Sequence, residues 1–139
     1  MTPVNAMQVV AGAGITGDHF YGRSQRHPGQ NLTLIEAEEV EAFNARTGMT
    51  LALSDPRRNV ITRGIRLNAL VGHEFIIGTA RLRGVELCEP CGKLARYLAG
   101  ETLTRERFVQ EFLHRCGLRA DVVVGGIIRV SDAVESQDP

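Results

Sequence analysis

Two closely spaced thiols are the strongest chemical signal in this chain. The stretch Leu87-Cys88-Glu89-Pro90-Cys91-Gly92-Lys93-Leu94 sets a proline directly before the second cysteine. An alternating segment, Thr79 to Leu87, precedes it, and a short helical pattern, Lys93 to Leu98, follows it. The spacing predicts a strand-to-helix junction. A thiolate in the first turn of a helix faces unpaired backbone N–H groups and the positive end of the helix dipole. Both favour the ionised form, which is the nucleophile and the metal ligand. Cys91 is therefore the expected chemical centre.

Three other readings compete for the pair. Cys88 and Cys91 with His114 and Cys116 would make a zinc ligand set. Against this, a single residue separates His114 from Cys116, and Cys116 sits on an apolar helical stripe. Cys-x-Pro-Cys also suits a thiol–disulfide protein. Here, however, the motif lies two-thirds along the chain, and the only proline downstream of Cys91 is Pro139. In the third reading, both cysteines are small apolar residues packed at a tight turn.

A second chemical segment is Asp55-Pro56-Arg57-Arg58-Asn59-Val60-Ile61-Thr62-Arg63-Gly64. Arginine forks grip phosphate and carboxylate with paired bonds, and Asn and Thr add neutral donors. Strand alternation places Arg57, Asn59 and Ile61 on one face and Arg58, Val60 and Thr62 on the other. Spacing alone balances an anion site against a basic surface patch. Gly12-x-Gly14-x-x-Gly17 lacks the apolar helix that a dinucleotide loop requires. It reads as a turn shaping a pocket wall, ending in Asp18 and His19.

The remaining pattern must position these groups. Met7 to Val10 is a short strand. The capping-box spacing of Thr33 and Glu36 predicts a helix opening from Asn31 and ending at Gly48. Its glutamates read as a solvated face. Leu67 to Gly72 is a turn or one helical turn, and Glu74 to Ile77 is a strand. The next strand has a bulge near Gly84. Thr104 caps a helix whose buried stripe is Phe108, Val109, Phe112, Leu113 and Cys116, closed by Gly117. Arg119 to Val124 is a strand, Gly125-Gly126 a tight turn or bulge, and Ile127 to Val130 a return strand.

The chain has 139 residues and zero formal net charge. One domain is expected over 1–139, with a core at about 7–134 and a disordered tail over 135–139. Nothing in the charge pattern suggests a nucleic-acid partner, and no apolar run suits a membrane span. The N-terminus has no signal-peptide pattern, so the expected placement is cytoplasmic, with reduced thiols.

Several segments together resemble the MOSC domain, the C-terminal domain of molybdenum-cofactor sulfurases, which also occurs in small standalone proteins. They are Gly14 to His19 with Gly22-Arg23, Arg57 to Gly64, Leu67 to Gly78, Glu86 to Cys91, and Gly117 to Asp132. The resemblance implies a mainly β fold (α+β by content), a barrel of mixed strands with a few peripheral helices. It implies Cys91 as sulfur carrier or as thiolate ligand to molybdenum of the molybdopterin cofactor. Arg57, Arg58, Asn59, Thr62 and Arg63 would hold that cofactor, with Asp18 and His19 at its mouth. It also implies molybdopterin or a sulfur-donor protein as partner. The activity would be sulfur transfer, or reduction of N-hydroxylated compounds with a separate electron donor. No pyridoxal phosphate is expected. The alternative is a non-catalytic molybdopterin- or anion-binding module.

Overall fold

Strand β6 (Ala80–Leu87) shows how sequence becomes architecture. Ala80, Leu82 and Gly84 are buried, while Arg81 and Arg83 between them face solvent. That period of two is the mark of a sheet with one dry face. The computed structural model describes residues 6–15, 32–90, 95–96, 98, 103–129 and 132–136.

β6 pairs with β5 (Glu74–Ile77) on one side and β7 (Leu118–Val124) on the other, both antiparallel. Beyond β7 lie β3 (Leu32–Glu36) and then β4 (Val60–Thr62), which runs parallel to β3. Beyond β5 lies β9 (Val134–Ser136). The six-stranded sheet in the order β4-β3-β7-β6-β5-β9 is mixed and curls into a nearly closed barrel. A second sheet joins β2 (Gly14–Ile15), β1 (Ala6–Val10) and β8 (Gly126–Arg129). This is the mainly β barrel expected from the sequence. The expected bulge is present as a register shift between Gly84 and Glu86, with another at Arg81/Leu82.

Two cores hold the fold. Leu32, Leu34, Leu67, Phe75, Ile77, Leu82, Leu118 and Val122 fill the barrel. The second core lies under the helices α1 (Ala37–Thr47) and α2 (Arg105–Phe112). There Phe43 stacks on Phe112 with ring centroids 4.1 Å apart, and Phe108 meets Phe43 edge-on at 5.2 Å. Ile35 belongs to this second core and Leu34 to the first. β3 is thus buried on both faces, which makes it near-continuously apolar rather than alternating. Ala95 is buried in the second core and Leu98 packs against it. The rest of the helix expected over Lys93 to Leu98 lies largely outside the described residues.

That double burial overturns the expected helix start. Leu32–Glu36 is a strand and α1 begins at Ala37. Thr33 does not cap; its hydroxyl donates to Asn59 Oδ1 at 2.9 Å. Glu36 occupies the N-cap position, but its carboxylate accepts from Leu67 N instead, at 3.1 Å. The C-terminal end is as expected, with Gly48 left-handed and its N–H on Asn44 O.

Three further expectations are corrected. α2 is capped by Thr104 as expected but ends at Phe112, so Leu113 is exposed while Cys116 stays buried. β8 does not return beside β7; it crosses to β1, with Met7 opposite Ile128. Gly125 and Gly126 allow this, because a Cβ on either would collide with Val9 or Thr79 backbone. The disordered tail expected over 135–139 meets a strand at its start, where Glu135 and Ser136 pair with Ile76 and Phe75 in β9, and residues 137–139 lie outside the described residues.

Candidate functional site

One end of the barrel gathers the ends of β3, β4 and β6 and the start of β7. Glu36 lies opposite Thr62, and Leu118 opposite both Leu34 and Leu87. The cysteine-bearing loop leaves from this end. Cys88 N donates to Gly117 O at 2.8 Å, extending the β6–β7 pairing by one residue. Glu89 is exposed and Pro90 buried.

The loop is clamped to the turn that follows α2. Glu89 Oε1 accepts from His114 N at 2.8 Å, and Oε2 lies 2.7 Å from His114 Nδ1. His114 has φ 62, a left-handed conformation that costs a non-glycine residue energy. Both of its backbone groups are held there, because Asn68 Nδ2 donates to His114 O at 2.8 Å. Asn68 belongs to a 3-10 turn, Leu67–Leu70. The preceding N–H, of Leu67, is the one taken by Glu36. Burial pushes the Glu36 carboxyl up, while the Leu67 N–H and the Arg66 guanidinium at 3.8 Å pull it down.

Cys88 and Cys116 are both buried and free of disulfides. Burial pushes the Cys88 thiol up to about 11, against the opposing pull of Arg58 and Arg119. At neutral pH it is a packed thiol. The Arg58 guanidinium reaches the same place. Its Nε donates to Cys116 O at 2.9 Å, Nη2 to Cys116 Sγ at 3.1 Å, and Nη1 to Pro56 O at 3.3 Å.

The rest of the basic segment is dispersed. Asn59 Oδ1 accepts from Thr33 N and Oγ1. Thr62 is buried, its hydroxyl 3.4 Å from Ile35 O. Arg63 forms a two-pronged pair with Glu41 at 3.0 and 2.9 Å, and Glu38 accepts from Gly64 N. Arg57 is exposed with φ 60, and its N–H closes a turn on Ser54 O. So Arg58 comes to the cysteines, while Arg63 goes to the acidic helix. Cys91, Asp18 and His19 lie outside the described residues. Among the described residues, no three His, Cys, Asp or Glu side chains group around a metal position.

Sequence reasoning missed Glu36, Asn68 and the Glu89–His114 pair. The signal for Glu36 was faint, a lone acid ending an apolar run. For Glu89, the one clue was an acid enclosed between two cysteines.

The fold has close counterparts. The YuaD protein of Bacillus subtilis superposes with a TM-score of 0.80 at 20% identity, covering 97% of this chain and 86% of that one. YiiM of Escherichia coli gives 0.71 at 15% identity, covering 100% and 65%. YiiM of Geobacillus stearothermophilus gives 0.65 at 18%, covering 79% and 55%. This chain thus spans less than two thirds of either YiiM. No curated protein is significantly similar to it. The MOSC domain model matches residues 21–135, most of the sequence. By that match, and with the barrel it folds into, the chain belongs to the MOSC domain family.

Proposed function

We propose that the chain acts in molybdenum-cofactor chemistry through Cys91, as a sulfur carrier or as a thiolate ligand to molybdenum. The observation that carries this reading is the fate of the other two thiols. Cys88 is held protonated by burial, and Cys116 is packed under α1 and α2 with Arg58 against its sulfur. Both are buried, so chemistry that needs an accessible thiolate is assigned to Cys91, the residue that follows Pro90 in the sequence.

Among the described residues around the basic segment, some side chains are engaged within the fold and others face solvent, where the cofactor's anionic phosphate would meet them. Arg58, Asn59 and Thr62 already bond to protein atoms. Arg63 and Arg66 carry exposed guanidiniums that an incoming anion can reach. The Arg63–Glu41 pair is exposed on both sides, 58% and 52%. Such pairs contribute only about 0–1 kcal/mol, so a phosphate can displace the carboxylate. Arg66 is 81% exposed and only loosely opposite Glu36. When bound, the cofactor would supply a redox-active metal centre and a soft partner for sulfur. Arg63 and Arg66 would hold its phosphate, and Cys91 would supply the thiolate.

This assignment extends to sulfur transfer from a donor protein, or to reduction of N-hydroxylated compounds with a separate electron donor, in the cytoplasm. Among the described residues, no helix is long and apolar enough to cross a membrane.

The test is metal analysis and intact-mass measurement of protein made in cells with a working molybdenum-cofactor pathway. Cys91→Ser should lose bound molybdenum or persulfide mass, while Cys88→Ser and Cys116→Ser keep it. Equal loss in all three variants would instead indicate a folding defect. A second reading, a non-catalytic anion-binding module, is favoured by the exposure of Arg63 and Arg66. It would be supported if Cys91→Ser kept the cofactor and Arg63→Ala with Arg66→Ala lost it.

A further inference from the structure

Cys88 and Cys116 stand in a relationship that neither thiol shows alone. β6 and β7 run antiparallel, with Leu87 opposite Leu118. The Cys88 N–H donates to Gly117 O at 2.8 Å, so Cys88 is opposite Gly117 and one step from Cys116. In an antiparallel ladder, Cα atoms one step off a directly opposed pair are roughly 6 Å apart, within the span of a disulfide. Regular alternation would still send the two side chains to opposite faces. Gly117 removes that obstacle. Its φ of 116 breaks the alternation, so that Leu118 packs in the barrel and Cys116 packs under the helices. Leu87 shares the face of Leu118, and Cys88 takes the other face, the one to which Cys116 is turned. The groups whose charges act on Cys88 agree with this placement: Arg58, Arg119, Cys116 and Glu86.

Arg58 serves both sulfurs. It donates to Cys116 Sγ at 3.1 Å, and its charge favours a thiolate at Cys88. A guanidinium so placed repels a metal cation. It suits chemistry in which a negative leaving group appears beside sulfur. The thiols are 2% and 0% exposed. Beside Cys88, the side chains of Glu86 and Arg119 are 62% and 40% exposed, so the pair lies one layer below solvent. Bulky reagents are shut out, whereas hydrogen peroxide, a molecule little larger than water, enters through local opening of the native state.

We infer that Cys116 and Cys88 form an oxidation-sensitive pair, which a peroxide closes into a disulfide within the native fold. The inference goes beyond the cofactor reading and needs neither the cofactor nor Cys91. Cys116 Sγ gives an electron pair to one peroxide oxygen, and the O–O bond breaks. Hydroxide leaves beside Arg58 and becomes water with the proton that the thiol gave up. Cys116 is thereby oxidised to a sulfenic acid and the peroxide is reduced. The Cys88 thiol then attacks the sulfenic sulfur. The S–S bond forms, the S–O bond breaks, and the Cys88 proton leaves with the hydroxyl as a second water. Two thiols and one peroxide give one disulfide and two waters. The product joins the first residue of the cysteine-bearing loop to the turn before β7, and a reducing thiol reverses it.

The experiment treats the full chain with hydrogen peroxide in native buffer near neutral pH. Cys91→Ser leaves Cys88 and Cys116 as the two cysteines of the chain. Intact mass and a non-reducing peptide map are recorded after alkylation in denaturant, and far-UV circular dichroism is followed alongside. The variant should lose about 2 Da, yield a linked Cys88–Cys116 peptide and recover its mass with a reducing thiol. With Cys88→Ser added, Cys116 should stop at a sulfenic acid, a gain of about 16 Da that dimedone traps. With Cys116→Ser added instead, Cys88 should stay reduced over the same period. The wild type is mapped in parallel, so that the test survives a Cys91→Ser chain that does not fold.

Both thiols recovered for alkylation after peroxide treatment overturn the inference. So does a gain of about 32 Da at Cys116 while Cys88 is present, because the sulfenic acid would then have no partner within reach. A Cys88–Cys91 link in the wild type in place of Cys88–Cys116 overturns it as well. The same holds for a Cys88–Cys116 link that forms only after the circular dichroism signal is lost.

Discussion

The Arg58 guanidinium bonds to two different atoms of Cys116, its carbonyl oxygen at 2.9 Å and its sulfur at 3.1 Å. With its third bond to Pro56 O, it ties the approach to β4 to the turn before β7. Both ends of this strut are remote in sequence and adjacent in space. Arg58→Ala would leave the Cys116 carbonyl without its charged donor, a loss of about 1.5–3 kcal/mol for a bond to a charged group. Arg58→Lys should recover little, because an ammonium cannot reproduce the fork. Urea unfolding checks both. A midpoint unchanged in Arg58→Ala would mean the guanidinium is there for a ligand rather than for the fold.

Cys88 should impose a pH dependence on stability. Its folded value, about 11, lies above the ordinary 9.0, chiefly through burial. Between those values the unfolded chain gives up the proton first. The contribution is therefore full below about pH 9 and is lost as the pH rises toward 11. The total is of order 2–3 kcal/mol. Cys88→Ala should flatten the stability curve over that window, as measured by denaturation at pH steps. In the wild type, iodoacetamide at neutral pH should leave Cys88 unmodified until the chain unfolds. Equal slopes in the two proteins would show that the thiol ionises at the same pH in the folded and unfolded chains.

Glu36 works in the opposite sense from a typical surface acid. Its carboxyl is raised by burial, so the folded chain holds a proton more readily than the unfolded one. Its contribution is present at low pH and lost as the pH rises through the folded value. Glu36→Gln keeps an oxygen for Leu67 N and removes the buried charge. At pH 7 it should be neutral or more stable than the wild type by under about 1 kcal/mol. As the pH falls below the ordinary carboxylate value of 4.5, that advantage should vanish. Thermal melts at the two pH values decide it. A variant weaker at pH 7 would mean that the Arg66 pairing outweighs the burial.

Gly117 is the most intolerant position of the site. It has φ 116, and an added Cβ would run into the Leu34 carbonyl of the adjacent strand. Gly117→Ala combines a disfavoured backbone with a collision against backbone that cannot yield. A loss of about 3 kcal/mol or more is expected. The same change should expose Cys88, whose N–H is bonded to Gly117 O. Faster alkylation of Cys88 in the variant reports it. A fully folded, thiol-protected Gly117→Ala would require a different backbone at this turn.

How far the sequence was legible follows from where each signal is stored. β6 and β5 were readable because one face is wet and the alternation survives. The helix end at Gly48 and the cap at Thr104 were readable because they are local chemistry. β3 was misread as a helix start because it is buried on both faces, so its periodicity is lost and Thr33 and Glu36 imitate a cap. The return of β8 to β1 instead of β7 is a long-range choice that no window around Gly125-Gly126 contains. In the site, residue types drew attention to the segment around Arg58. They could not show that its guanidinium is occupied by Cys116, since the two are 58 apart in sequence. The Glu89–His114 bond was hidden in the same way.

The crossing of β8 to β1 has a consequence for how the protein is made. Met7 has its strand partner at Ile128, near the other end of the chain. Loop closure of that length is slow compared with local helix and turn formation. On the ribosome, β1 is made long before β8, so one of its edges stays unpaired until synthesis reaches Gly126–Arg129. During that interval it is the segment most open to wrong partners. The small sheet therefore cannot be completed until β8 has been made, and a chain halted before Gly126 has neither β8 for that sheet nor β9 for the larger one.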